Sequence, residues 1–273
     1  MTTKKVRLDV LLVERGLIET REKAKRSIMA GLVFSDVERL DKPGVKVAAD
    51  IPLTIKGKPI PYVGRGGLKL EKALHYFNLS VKDRLMVDIG ASTGGFTDCA
   101  LQNGAKLCYA LDVGYNQLDW KLRSDPRVIV MERTNFRYAT QDMFEHGLPD
   151  FATIDVSFIS LKLILPALAD IITSNGDVVA LIKPQFEAGR EQVGKKGIVR
   201  DPEVHSHVLA SIINFAHELQ FELQKLTFSP ITGGDGNIEF LAHFKAKQHD
   251  QFKQINWQEE IVNVVQQSHN MLD

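Results

Sequence analysis

A strand-like run closing on an acid, Leu85-Met86-Val87-Asp88-Ile89, leads directly into Gly90-Ala91-Ser92-Thr93-Gly94-Gly95-Phe96-Thr97 and then into a helical pattern. Glycines between a strand and a helix let a backbone approach a ligand closely, and the helix N-terminus adds unsatisfied N–H groups. The run lacks the Gly-Lys-Ser/Thr ending of a Walker A loop and is not a strict G-x-G-x-x-G. The next apolar strand ends at Asp112, 24 residues beyond Asp88, where a carboxylate would meet ribose hydroxyls. After a third strand comes Asn135, placed to hydrogen-bond an adenine edge. The glycines alone fit a tight structural turn equally well; with Asp112 and the strand–helix alternation they favour a nucleoside cofactor. Four charged residues form a second constellation. Asp155 follows Ala152-Thr153-Ile154, Lys183 follows Val179-Ala180-Leu181-Ile182, Glu239 follows Asn237-Ile238, and Lys69 lies just past Gly64-Arg65-Gly66-Gly67. A charge that ends an apolar strand projects at the ligand-binding edge of a sheet. Taken singly, each is more often structural than catalytic.

The elements that must hold these residues alternate. Helices are expected over 68–77, 94–103, 161–173 and 202–219, and strands over 85–89, 107–111, 128–130, 151–156 and 177–182. Two closing strands, 221–229 and 238–245, flank the turn Gly233-Gly234-Asp235-Gly236. Alternating strand and helix predicts a mostly parallel sheet covered on both faces. Ahead of it, Leu8, Leu11 and Leu12 mark one short helix, and Thr20 caps a second carrying Ala24, Ile28 and Met29. Short strands follow at 32–35, 45–47 and 53–55. Residues 57–64 are punctuated by Gly and Pro and read as a linker; 250–273 reads as an amphipathic helix.

The chain has 273 residues, enough for one large or two modest domains, with 44% hydrophobic residues to build a core. Its 34 basic and 34 acidic residues cancel. The cancellation is uneven: residues 1–65 hold 14 Lys and Arg against 8 Asp and Glu, and the remainder carries the opposite imbalance. A basic head on an acidic body points to a polyanionic partner, although a merely solvated basic surface fits the charge equally well. Two cysteines, Cys99 and Cys108, argue against a disulfide scaffold and for a reducing, cytoplasmic setting. Cys99 has no histidine nearby in sequence and reads as a buried thiol rather than a nucleophile. The eight histidines show no metal-ligand spacing, so no metal is expected. Apolar runs fall short of a membrane span and the first residues lack a signal core, so no membrane partner is expected.

A strand ending in Asp followed by Gly-x-x-x-Gly-Gly-Phe is the pattern of adenosylmethionine-binding turns. The second domain resembles the FtsJ/RrmJ-type 2'-O-ribose RNA methyltransferases, whose signature is Lys-Asp-Lys-Glu. The head, Arg7-Leu8-Asp9-x-x-Leu12-Val13-x-x-Gly16-Leu17 through Arg21, Ala24, Ile28, Gly31 and Val33, is similar to the αL RNA-binding module first seen in a ribosomal small-subunit protein. Residues 4–246 together resemble the TlyA family, some members of which carry the name hemolysin A. The resemblance implies a Rossmann-like class I methyltransferase sheet, mostly parallel with an antiparallel last strand, behind a small N-terminal α+β domain. It divides the chain into 1–61, 62–247 and a helical tail, 248–273. The cofactor implied is S-adenosyl-L-methionine, held by Asp88, Gly90, Ser92, Thr93, Gly94, Gly95, Phe96, Thr97, Asp112 and Asn135. The partner implied is ribosomal RNA or a ribosomal subunit, gripped by Arg7, Arg21, Lys23, Lys25, Arg26 and Arg65. The head departs from its pattern at Ser35-Asp36-Val37-Glu38, where an Asn-Gly turn is usual. Lys196-Gly197-Ile198-Val199-Arg200 resembles a TlyA segment and is assigned only an RNA or cofactor-lid contact.

A ribose 2'-hydroxyl is a weak nucleophile at neutral pH and needs a base or a stabilised alkoxide. The resemblance gives Lys183 that task, with Asp155 and Glu239 orienting Lys183 and Lys69, and Lys69 stabilising charge or placing the ribose phosphate. Desolvation among other cations would lower the Lys183 pKa. The expected activity is methylation of ribosomal RNA on a ribose 2'-oxygen, at cytidine in 16S or 23S rRNA. Two other classes stand beside it: a pore-forming hemolysin, which would need a membrane-active element, and a non-catalytic RNA-binding ribosome factor, which would tolerate loss of a tetrad residue.

Overall fold

The computed structural model describes residues 5–29, 31–56, 60–246 and 257–272. The chain divides into two compact units, residues 1–65 and 66–273.

The first unit begins with a strand of three residues, β1 (Lys5–Arg7), too short to register as periodicity. It continues through α1 (Leu8–Glu14), α2 (Arg21–Met29), β2 (Val33–Ser35), β3 (Glu38–Arg39), β4 (Lys46–Ala48) and β5 (Thr54–Ile55). β1 pairs antiparallel with β4, and β2 lies between β3 and β5. Leu8, Leu11, Leu12, Ala24, Ile28 and Val33 close the core. Asp36 enters the β2–β3 turn with φ 53°. Aspartate tolerates this left-handed conformation better than most residues, so the turn forms without Asn-Gly. Asp36 and Glu38 both face water.

The second unit runs α3 (Gly66–Phe77), β6 (Leu85–Ile89), α4 (Gly95–Gln102), β7 (Leu107–Leu111), α5 (Trp120–Arg123), β8 (Val128–Met131), β9 (Phe151–Ile154), α6 (Leu165–Ile171), β10 (Asp177–Ile182), α7 (Pro184–Glu187), α8 (Pro202–Glu218), β11 (Phe221–Phe228), β12 (Phe240–Ala246) and α9 (Gln258–Leu272). Its seven strands take the order β11-β12-β10-β9-β6-β7-β8. β10, β9, β6, β7 and β8 are parallel, and β12 runs against both neighbours. β10 is buried at every position, as expected for a central strand covered on both faces. Leu168 of α6, Ile212 of α8 and Val264 of α9 share one core with Val178, Leu223 and Leu226 of the sheet. α9 therefore belongs to this core; residues 247–256 of the expected tail lie outside the described residues. The helix expected over 161–173 opens as a 3₁₀ turn, Leu161–Leu163. Asp155 and Glu239 both lie one residue outside their strands, in the loops that form the edge of the sheet.

Candidate active site

Strand direction explains why four residues distant in sequence meet. β9 and β10 are parallel, so Asp155 and Lys183 leave the sheet at the same edge. β12 enters where they exit: Ile182 pairs with Phe240, which sets Glu239 beside Lys183 at that edge. Lys69 arrives on the first turn of α3, where a Cβ on Gly66 would lie 3.4 Å from the Phe96 ring and 3.9 Å from Asp155 Oδ2. Phe96 therefore packs against the start of the helix that carries Lys69.

The result is a chain of alternating charge. Lys69 Nζ lies 2.7 Å from Glu239 Oε2 and 3.4 Å from Asp155 Oδ2. Lys183 Nζ lies 2.6 Å from Asp155 Oδ1 and donates to Ser157 Oγ at 3.1 Å. Lys69, Lys183 and Glu239 are buried, and the Asp155 side chain keeps 18% of its surface. Lys183 thus meets a carboxylate, and Asp155 separates it from the other lysine. Burial alone would raise the Asp155 pKa, but Lys69 and Lys183 together hold it below the usual aspartate value. Burial would likewise strip Lys69 of its proton; Asp155 and Glu239 outweigh it and raise that pKa. Lys69 is therefore a fixed cation and Asp155 a fixed anion at neutral pH.

Beside this chain lies a cavity of about 330 Å³ lined by Gly90, Ser92, Asp112, Asn135 and Asp155, with Ile89, Leu111 and Phe136 among its apolar walls. Asp112 accepts the backbone N–H of Ser92 at 2.8 Å on one oxygen and that of Gly114 at 2.7 Å on the other. Both oxygens keep lone pairs for a vicinal diol. Gly90 has φ +86°, and a Cβ there would lie 2.5 Å from the Asp155 carbonyl oxygen, so only glycine lets the two loops touch. The cavity thus combines apolar walls, a carboxylate and an amide edge, which suits an adenosyl group.

The other expected cofactor residues are placed behind the wall. Asp88 is buried; it accepts Thr97 Oγ1 at 2.7 Å and Thr97 N at 3.0 Å on one oxygen, and Thr153 Oγ1 at 2.9 Å on the other. Burial pushes its pKa up to about 6 against those hydrogen bonds. Gly94, with φ +92°, caps α4 where a Cβ would strike Leu122 and Leu118. Gly95, Phe96 and Thr97 are buried in α4. The Thr93 carbonyl accepts Asp119 N at 3.2 Å. These residues shape the turn; Gly90, Ser92, Asp112 and Asn135 present it to the cavity. Asn135 also caps a 3₁₀ turn by accepting Arg137 N at 3.2 Å.

Sequence reasoning passed over two residues. Ser157, two positions beyond Asp155 along the same exit from the sheet, reaches Lys183. Glu132, directly after β8, accepts Gln117 N at 3.0 Å and Arg123 Nη2 at 2.6 Å, bracing the loop after β7. Its pKa falls to about 2 because these donors and the Asn116 N–H overcome desolvation. Cys99 and Cys108 are buried. Among the described residues no group of three or more His, Cys, Asp or Glu is arranged to hold a metal, and no helix is long and apolar enough to cross a membrane.

In the first unit, the expected cations are largely engaged. Arg7 and Arg21 each place Nε 2.9 Å from the buried Asp9. Arg7 with Arg21 holds the Asp9 pKa down to about 2 against burial. Lys23 pairs with Glu19 at 2.5 Å and Lys25 with Glu22 at 3.5 Å, both on the surface. Arg26 sits in the last turn of α2, and Arg65 is the partly buried last residue of the unit.

The FtsJ-like methyltransferase family matches residues 62–246, and the S4 domain family matches residues 6–50. YqxC of Bacillus subtilis, provisionally named an rRNA methyltransferase, is 65% identical over 272 residues, covering 100% of this chain and 97% of its own. The 16S/23S rRNA (cytidine-2'-O)-methyltransferase TlyA of Mycobacterium tuberculosis is 42% identical over 88% of its length and 87% of this chain. A solved structure from Streptococcus thermophilus, provisionally described as a hemolysin, superposes with a TM-score of 0.79 at 57% identity and covers 99% of this chain and 98% of its own.

Proposed function

The chain belongs to the FtsJ-like methyltransferase family and carries an S4 domain, and on that premise we propose that it transfers a methyl group from S-adenosyl-L-methionine to a ribose 2'-oxygen of ribosomal RNA, at cytidine in 16S or 23S rRNA. The observation that carries this reading is the buried Glu239–Lys69–Asp155–Lys183 chain opening, through Asp155, onto a cavity suited to an adenosyl group. The cofactor supplies an electrophilic methyl carbon on a sulfonium. Asp112 binds its ribose, Asn135 its adenine edge, and the Gly90–Ser92 backbone the remainder. As the neutral amine, Lys183 Nζ would hold the 2'-hydroxyl and take its proton while the bound cofactor supplies the methyl group to the oxygen. Asp155 Oδ1, 2.6 Å away, stabilises the ammonium so formed. Lys69 keeps Asp155 ionised and in place, and Glu239 balances Lys69. Ser157 fixes the direction of the Lys183 amine. Alignment of oxygen and methyl carbon supplies most of the acceleration. The S4 domain grips the RNA through Arg7, Arg21, Lys23, Lys25 and Arg26, joined by Arg65 beyond it, and the enzyme works in the cytoplasm, on RNA or a ribosomal subunit.

The test is a pair of variants assayed with labelled cofactor and ribosomal subunits. Lys183→Ala is expected to abolish ribose methylation while calorimetry shows cofactor binding intact. Asp112→Ala is expected to weaken cofactor binding. Wild-type methylation by Lys183→Ala would overturn the mechanism, and release of liposome contents by the wild type without methylation would overturn the function.

A further inference from the structure

Two loops at the carboxyl edge of the second sheet display aromatic rings to water. Tyr115, after β7, is 64% exposed, and Tyr138, after β8, is 70% exposed. Each carries a guanidinium: Arg133 Cζ lies 4.0 Å from the centre of the Tyr115 ring, and Arg137 Cζ lies 5.4 Å from that of Tyr138. Open rings on neighbouring loops offer flat apolar faces, with a polar edge, to a partner. The loops are not slack. Arg133 N donates to Gly114 O at 2.9 Å and Thr134 N to Asp112 O at 3.0 Å. Glu132 holds the same loop from below through Gln117 and Arg123. Arg133 is kept at φ 55°, a left-handed conformation that a long side chain holds only where the surroundings enforce it.

The arginines point to the partner. Arg133 and Arg137 are exposed, and among the described residues neither forms an ion pair with a carboxylate, unlike Arg123, which pairs with Glu132 of the same loop. Guanidinium groups that stack on tyrosine and leave their donors to solvent match a polyanion whose monomers are flat. The same two loops line the cavity through Asp112, Val113 and Asn135. We propose that Tyr115–Arg133 and Tyr138–Arg137 form a docking ridge for single-stranded RNA flanking the nucleotide to be methylated, bases stacking on the tyrosines and phosphates meeting the arginines. This deepens the RNA methyltransferase reading and rests on it. The ridge fixes which nucleotides lie beside the cavity; the tetrad acts on the one that enters it.

The test uses the full chain, a labelled unstructured 15-nucleotide RNA and a duplex of the same length. Tyr115→Leu/Tyr138→Leu is expected to weaken single-strand binding about tenfold or more, since stacking a base on an aromatic ring contributes about 1–3 kcal/mol, with little change on the duplex. Arg133→Gln/Arg137→Gln is expected to lower the salt slope of single-strand binding by about 1.4 for two phosphates. Calorimetry with S-adenosyl-L-methionine should give wild-type affinity in both variants. Unchanged single-strand affinity and salt slope would overturn the proposal. So would an equal loss on single strand and duplex, which assigns the ridge to general charge, or a loss confined to the cofactor, which assigns it to the cavity. Wild-type methylation of ribosomal RNA, measured alongside, fails only if the functional reading is wrong.

Discussion

Asp9 in the first unit and Asp155 in the second are each set between two cations, and the two clusters are built in opposite senses. In the first unit the carboxylate is sealed and the cations are open: the Asp9 side chain is fully buried while Arg7 and Arg21 keep 44% and 51% of their side-chain surface. In the second unit the cations are sealed: Lys69 and Lys183 each keep 8%, and Asp155 retains the access, 18%, on a cavity wall. Asp9 therefore seats two guanidinium groups whose remaining donors face water, an arrangement that presents charge to a large anion. Asp155 instead holds two amines against each other in low dielectric, with Glu239 completing the balance, an arrangement that controls a proton. On the proposed function, accessibility rather than the number of charges separates the cluster that would grip RNA from the one that would react.

The largest effect that would sharpen this contrast is removal of Asp155. Asp155→Ala leaves Lys69 with Glu239 alone and removes the carboxylate from Lys183, and breaking a buried pair typically costs about 3–5 kcal/mol. We expect urea denaturation of the second unit at a lower midpoint, together with complete loss of methyl transfer. The matching change, Asp9→Ala, leaves its two cations in solvent, where they hydrate, so the expected cost is about 1–2 kcal/mol. Equal losses would break the comparison.

Asp88 supplies a third kind of acid, buried with neither a cation nor the cavity as neighbour. With a folded pKa of about 6 against roughly 3.9 unfolded, it stays protonated in the folded state while the unfolded chain ionises. Stability is therefore highest below pH 4 as far as this group is concerned and falls between about pH 4 and 6, by roughly 3 kcal/mol at most. Asp88→Asn can still accept from Thr97 and donate to Thr153 Oγ1, so it should remove that loss. Denaturation midpoints recorded from pH 4 to 7 check this; an unchanged slope would show that Asp88 is ionised. Asp9 carries the opposite sign. Its folded pKa of about 2 lies below the unfolded value, so its contribution is complete above about pH 4 and disappears as pH falls through 2. Acid titration of Asp9→Asn should show a shallower loss of stability over that range than the wild type.

The contrast also marks what was legible in the amino-acid order. Asp155, Lys183 and Asp112 stood out because a charge directly after an apolar run must emerge at a sheet edge. Glu239 joins them because β12 reverses and pairs Phe240 with Ile182, which the hairpin turn of glycines already suggested. Asp9 was legible as a position of the head's motif and as one of its eight negative charges, but a single aspartate on a short amphipathic helix gives no sign of being buried. Asp88 followed the pattern of a cofactor acid, yet its side chain turns inward to two threonines, because side chains alternate faces along a strand and Ile89, not Asp88, reaches the cavity wall. Ser157 and the Tyr115–Arg133 pair depend on which loops lie side by side, and contacts between loops leave no periodic trace.

The smallest expected effect is the one that most directly tests whether charge on the head is for binding. Lys23, in the first turn of α2, and Glu19, two residues ahead of that helix, are both exposed, at 55% and 79%. An exposed pair of this kind contributes about 0.3–0.5 kcal/mol at most, because solvent screens it and two long side chains lose freedom in making it. Lys23→Ala should therefore leave the denaturation midpoint nearly unchanged. If Lys23 meets a phosphate, the same variant should reduce the salt slope of RNA binding by about one, while Lys183→Ala leaves that slope unchanged. A variant that loses stability but keeps the slope would show that the helix charges fold the head rather than hold RNA, and the distinction between a gripping cluster and a reacting one would then rest on Arg7 and Arg21 alone.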